Sequence, residues 1–330
     1  MSISRMPPLA NTGTPLVLSR SLGALLGLRT LAFKLESMQP TGSWLDRSAA
    51  RIVADAISEA ATGVCVVDAD AVAVALASAC ARAALPLVLL LPRGDRLGDG
   101  ATGCHTGHLD ALGVRVVSVQ ATRAQLDLAA PGIASAAGLR LVSRTMLPLA
   151  TGLLEVVQEI AGAGQPGQVL AMPLLAGDEA RWLAATSTRK AAVPLPLDLP
   201  DNADPDPLLG VLGVAAHQAP GMASSPGVLC QVVTTREGAA ARRLLAEEEG
   251  ILTSAGGALG LAALIRARQA DLQLRPRARQ LPMPLDAVVI VTGGPYEDCQ
   301  PSPASADLLP APVSLADVQG SLRRALMLRH

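Results

Sequence analysis

Short runs of branched apolar residues alternate with longer stretches in which alanine and leucine recur at helical spacing. The runs at 31–35, 63–67, 87–91, 114–119, 168–172, 229–233 and 287–291 predict strands. The stretches at 46–60, 72–84, 108–112, 151–161, 178–185, 236–249 and 255–269 predict helices. Gly113 stands where a helix C-terminal stop is expected. Strands that are apolar at nearly every position occur where helices cover both faces of a sheet. Strand–helix alternation of this kind predicts an α/β fold with mainly parallel sheets flanked by helices. Two stretches break the pattern. The Pro- and Asp-rich 194–207 reads as a loop, and 300–312 reads as a linker to a short C-terminal helix ending near Arg329.

A chain of 330 residues is long enough for two lobes. The hydrophobic fraction of 50% and mean hydropathy of +0.38 exclude a disordered chain and raise the question of a membrane span. The longest apolar runs, such as 83–91 with Pro86 inside it, are strand-length, whereas a span needs about 20 apolar residues. Pro7, Pro8 and Pro15 are unlike a signal peptide. A net charge of −1 points to neither nucleic acid nor a membrane surface. Cys65, Cys80, Cys104, Cys230 and Cys299 are scattered and odd in number, which fits free thiols in a reducing cytoplasm. Phe33, Trp44, Trp182 and Tyr296 are the only aromatic residues, so the core is aliphatic. Lys34 and Lys190 are the only lysines, which limits any chemistry that needs one.

One segment carries a specific signature: Lys34-Leu35-Glu36, then Gln39-Pro40-Thr41-Gly42-Ser43-Trp44-Leu45-Asp46-Arg47. It resembles threonine synthase and its fold-type-II pyridoxal-phosphate relatives, which carry K-x-E followed by N-P-T-G-S-F-K-D-R. Further stretches keep the family's order: Thr14-Pro15-Leu16-Val17, 81–92, Glu248-Glu249-Gly250-Ile251 with 254–258, and Val291-Thr292-Gly293-Gly294. The resemblance runs through 12–298. It implies a two-lobed fold-type-II architecture of the tryptophan synthase beta superfamily. The larger lobe would comprise 1–47 and 146–298, the smaller lobe 48–145, and 299–330 a Pro-rich linker with a short helix. It also implies a homodimer.

The departures from the family pattern bear on function. The family's lysine between Phe and Asp forms an imine with the cofactor aldehyde. Here that position is Leu45, which has no nucleophilic nitrogen. The family's S-T-G-N loop reads Asp68-Ala69-Asp70-Ala71. The family's Gly-rich phosphate turn reads Pro173-Leu174-Leu175-Ala176-Gly177-Asp178-Glu179, with two acids where a dianion would sit. The family's G-x-K-T reads Pro148-Leu149-Ala150-Thr151. Thr292 survives; in the family it faces the pyridine nitrogen, and its plainer role is to end a core strand. Ser43, Ala71, Gly177, Asp178, Thr292 and Gly293 are therefore vestigial cofactor positions. No bound cofactor is expected, although the family uses pyridoxal phosphate.

The remaining constellations are weaker. Cys104, His105 and His108 are the only cluster with metal-ligand chemistry, and they read as a polar loop and helix start. Glu247-Glu248-Glu249 reads as a solvated helix end, and Gly256-Gly257 as close packing of a helix on the sheet. The sequence thus predicts a non-catalytic homologue: a scaffold, a regulatory subunit, or the hetero-partner of an active paralogue. The alternative is an enzyme or ligand-binding protein with new chemistry among Asp68, Asp70, Asp178 and Glu179. A conventional enzyme with a displaced lysine, Lys34 or Lys190, is the third reading.

Overall fold

The computed structural model describes residues 13–67, 69–93, 108–142, 148–163, 169–173, 209–215, 228–273, 286–293 and 310–327. The expectations for 178–185 and 194–207 lie outside these residues, as does most of 300–312. In chain order the elements begin with β1 (Leu16–Leu18), α1 (Leu22–Leu25), β2 (Thr30–Leu35), α2 (Leu45–Ser58), β3 (Gly63–Val67) and α3 (Ala71–Arg82). They continue with β4 (Leu87–Pro92), β5 (Arg115–Val119), α4 (Arg123–Ala136), β6 (Leu139–Val142), α5 (Pro148–Gly162), β7 (Val169–Pro173) and β8 (Leu209–Ala215). Last come β9 (Val228–Val233), α6 (Thr235–Leu244), α7 (Leu259–Gln273), β10 (Asp286–Val291) and α8 (Val318–Met327). No helix among the described residues is long and apolar enough to cross a membrane.

The chain divides into two compact units. The first, from 13–38 and 156–296, holds a six-stranded sheet of order β1-β2-β10-β7-β8-β9. Every neighbouring pair in it is parallel except β1 with β2. Its buried face follows the two-residue period of a strand: Leu31 and Phe33, Val169 and Ala171, then Ala287, Val289 and Val291. These pack on Leu261, Leu264 and Ala267 of α7. Each fully buried Leu, Val or Phe contributes roughly 1.5–3 kcal/mol. The helix lies close because residue 260 is glycine; a Cβ there would stand 2.8 Å from the Ala171 carbonyl oxygen.

The second unit, from 39–155 and the C-terminal 310–327 among the described residues, holds a parallel sheet of order β5-β4-β3-β6. Cys65, Val67, Val88, Leu90, Val117 and Val119 pack against Leu126 and Ile133 of α4 and against Val318 and Leu322 of α8. The C-terminal helix is therefore part of this core. Val313 runs beside the end of β5, donating to the Ser118 carbonyl at 2.9 Å and accepting from the Gln120 amide at 2.7 Å.

Most predicted elements form, and the exceptions have local causes. The expected helix 255–269 starts at Leu259, because 255–258 are a turn held by the Gly257 amide donating to Ser254 Oγ at 3.0 Å. The expected helix 236–249 is α-helical only to Leu244 and continues as a π-helical turn over Leu245–Glu249. Gly250, at φ 70°, ends it in the left-handed region. α4 gave little signal because Pro131 and Gly132 lie inside it. A capping box of Thr122 and Gln125 starts it nonetheless.

The triple glutamate is not simply a solvated helix end. The π turn aims Glu249 at the start of α1, where its carboxylate accepts from Ser19 Oγ at 2.6 Å and from the amides of Arg20, Ser21 and Leu22 at 2.7, 3.2 and 2.9 Å. Glu248 adds a bond from Ser21 Oγ at 2.8 Å. Partial burial raises the Glu249 pKa, but these four bonds outweigh it and hold the carboxyl below its ordinary 4.5. Such a group stabilises the fold above its unfolded pKa and loses that contribution as pH falls through the folded value. Glu249→Gln is therefore expected to lose about 1–2 kcal/mol at neutral pH. Below pH 4.5 its urea midpoint is expected to converge on that of the parent. A constant gap down to pH 3 would show that charge is not what the helix start uses.

Candidate functional site

The signature segment builds the start of α2 in the second unit. Gly42 takes φ 82°, a left-handed turn that favours glycine, and its amide donates to the Gln39 carbonyl at 2.9 Å. Asp46 accepts from the Thr41 amide and from Thr41 Oγ1, both at 2.9 Å, and so clamps the turn onto the helix. Ser43 Oγ accepts from the Leu45 amide at 3.3 Å. Leu45, the first helical residue, is 1% exposed. Arg47 is buried with Nη1 at 3.9 Å from Glu155 of α5, and Ser48 Oγ accepts from the Gly152 amide at 3.2 Å. A Cβ on Gly152 would lie 2.4 Å from Ser48 Oγ, so α5 crosses α2 at a glycine. Asp46, Arg47 and Ser48 thus each have a structural partner.

The loop between β3 and α3 is put to a similar use. Asp70 is the N-cap of α3, its Oδ1 accepting from the Ala73 amide at 2.9 Å. Ala71 is the first residue of that helix and offers only a methyl group. Cys65 and Cys80, on β3 and α3, are buried, and burial pushes both thiols up to about 12, so neither is a nucleophile at neutral pH.

In the first unit, Lys34 sits near the C-terminal end of β2, opposite Leu16 of β1 and Ile290 of β10, and is 2% exposed. Its Nζ donates to Glu159 and to the Thr14 carbonyl, both at 2.6 Å. Thr14 Oγ1 in turn donates to the buried Glu36 at 2.5 Å. The T-P-L-V and K-x-E stretches are therefore joined in one polar network, with the Lys34 amine paired to Glu159. Thr292 follows β10, its carbonyl accepting from Thr253 Oγ1 at 2.7 Å, and Gly293 follows at φ 81° with its carbonyl 2.8 Å from the same hydroxyl. Gly257 lies directly beneath: a Cβ there would be 1.5 Å from the Thr292 oxygen.

His108 is exposed and opens a helical turn over 108–111. No group of three or more His, Cys, Asp or Glu among the described residues could hold a metal ion. Cys104, His105, Asp68, Gly177, Asp178, Glu179 and Lys190 lie outside the described residues.

A family model for pyridoxal-phosphate-dependent enzymes matches residues 8–174, about half of the chain and inclusive of the signature segment. The chain belongs to the pyridoxal-phosphate-dependent enzyme family. Solved structures of similar fold include maize serine racemase, at a TM-score of 0.64 and 16% identity over 88% of this chain and 90% of that one. Diaminopropionate ammonia lyase of Escherichia coli in its apo form matches at 0.64 and 14%, over 99% and 90%. The T.th. threonine deaminase matches at 0.62 and 21%, over 88% and 94%. At such identities the likeness concerns the fold, which is that of fold-type-II enzymes: parallel sheets flanked by helices. A search of curated proteins finds no match.

At the described positions the chain keeps Ser43, Thr292 and Gly293 of the family pattern but departs from it at the imine position and in the loop after β3. Where the resemblance assigns the imine-forming lysine there is a buried leucine. The lysine of the K-x-E strand is ion-paired, and the loop residue Asp70 is a helix cap. No chemical step through the cofactor follows from these residues. Sequence reasoning missed Glu159, the partner of Lys34, and the capping role of Asp70. The former is separated from Lys34 by 125 positions, so no local pattern marks it. The latter was legible as an Asp one residue before a helix.

Proposed function

We propose that the chain is a non-catalytic, threonine synthase-like member of its family, acting as a scaffold, regulatory or partner subunit. In this reading it works in the cytoplasm, as a homodimer or beside an active paralogue. Buried Leu45 at the imine position carries the proposal. An alkyl side chain cannot attack an aldehyde. The burial of Lys34 supports it, since an amine that is 2% exposed and engaged by Glu159 and the Thr14 carbonyl is not presented to a carbonyl reagent. The alternative of new chemistry around four acids loses one of them, because Asp70 is engaged at the start of α3.

The test is an absorbance scan of the purified protein with pyridoxal phosphate, then borohydride reduction and intact mass. No imine band and no mass increase are expected. A reduced adduct mapped to Lys34 or Lys190 would overturn the reading and assign the chain to the conventional enzymes.

A further inference from the structure

The lysine position of a disarmed enzyme can take either of two forms. It can remain an open site that lacks one amine, or it can be absorbed into the fold. We infer that here it has been absorbed, so that restoring the lysine alone does not restore a cofactor site. The inference rests on the non-catalytic reading proposed above.

Three observations within the second unit carry it. Leu45 is 1% exposed and sits in a run of buried side chains, Trp44 at 1%, Arg47 at 2% and Ala49 at 2%, that form the first turn of α2. The polar groups beside it on the chain are already engaged: Ser43 Oγ with the Leu45 amide and Asp46 with both donors of Thr41. The family's ring-facing loop has become the cap of α3 through Asp70, and its Ala69 is buried at 3%. A lysine at position 45 would thus have to bring an ammonium to a position that is 1% exposed, where an unpaired charge is strongly disfavoured. An open imine site would instead leave position 45 reachable by small reagents.

The experiment has two arms on the full chain. In the first, L45K is treated with pyridoxal phosphate and borohydride and its peptides are mapped. No adduct at position 45 is expected, together with a melting point roughly 5–10 °C below the parent. In the second, L45C and L25C are exposed to N-ethylmaleimide under native conditions. Leu25 is 68% exposed and serves as the reference. Labelling at position 45 is expected to be slower on the order of 100-fold or more, because it must wait for local opening, and equal to the reference in denaturant.

An adduct on L45K alone, or rapid native labelling of L45C, overturns the inference and leaves the non-catalytic reading intact. An adduct on the unaltered protein overturns that reading instead. Should L45K fail to fold, the smaller and uncharged L45C still decides, through its labelling rate.

Discussion

Gly257→Ala is expected to give protein that is insoluble or melts at least about 10 °C below the parent, a loss of roughly 3–5 kcal/mol. The added Cβ would lie 1.5 Å from the Thr292 carbonyl oxygen, 2.7 Å from its carbon and 2.3 Å from Thr253 Oγ1. Two of these three atoms are backbone, so no side-chain rotation relieves the clash; the start of α7 or the end of β10 has to move. Either shift also disturbs the bonds from Thr253 Oγ1 to the carbonyls of Thr292 and Gly293. The neighbouring Gly256→Ala is the control. Gly256 is exposed, with Ser254 Oγ at 3.8 Å as its nearest contact. Its change is expected to stay within about 1 kcal/mol. Thermal melts of the two variants side by side check the pair, and equal losses would show that the turn yields as a whole.

The second large effect concerns the ion pair of Lys34 and Glu159, and it is expected to be asymmetric. Glu159→Leu leaves an ammonium that is 2% exposed, with only the Thr14 carbonyl as a neighbour in that network, and is expected to cost about 3–5 kcal/mol. Lys34→Met leaves a carboxylate whose side chain is 22% exposed and which keeps the Gly13 amide at 2.8 Å. Water can reach it, so the loss is expected to be smaller, about 1–3 kcal/mol. The double variant removes both charges and is expected to be more stable than the sum of the single losses predicts, by about 0.5–3 kcal/mol. Urea unfolding of all four proteins at one salt concentration measures the cycle. A larger loss for Lys34→Met than for Glu159→Leu would contradict the burial argument.

Legibility in the sequence followed the range of each interaction. Strands β2, β3, β4, β7 and β10 stand out because helices cover them, which makes them apolar runs. The leucine at position 45 is a single letter in a dense motif, and the motif fixes its place. Other features depend on distant partners. Glu249 reads as one more acid on an acidic turn until the π turn, which has no sequence period, brings it to Leu22, 227 positions away. Asp46 was expected near a helix start and is there, but its use as a clamp for Thr41 needs the left-handed turn at Gly42 to be seen. β1 is three residues long and pairs antiparallel, too short to show a period.

The interleaving of the two units bears on how the protein is made. The first unit needs residues 13–38 and 156–296, and the second needs 39–155 plus the helix at Val318–Met327. During synthesis the bulk of the second unit emerges and then waits for α8, whose Val318 and Leu322 complete its core. At about 5–20 residues per second that wait is roughly ten to thirty seconds. Through it, Val117, Val119, Leu126 and Ile133 lack their final cover. A growing chain of this design presents an apolar surface to the ribosome exit and to chaperones until α8 is added. Neither unit can be expressed as one uninterrupted piece of the natural chain, so separate study of either requires a gene in which the intervening segment is excised and its flanks are joined.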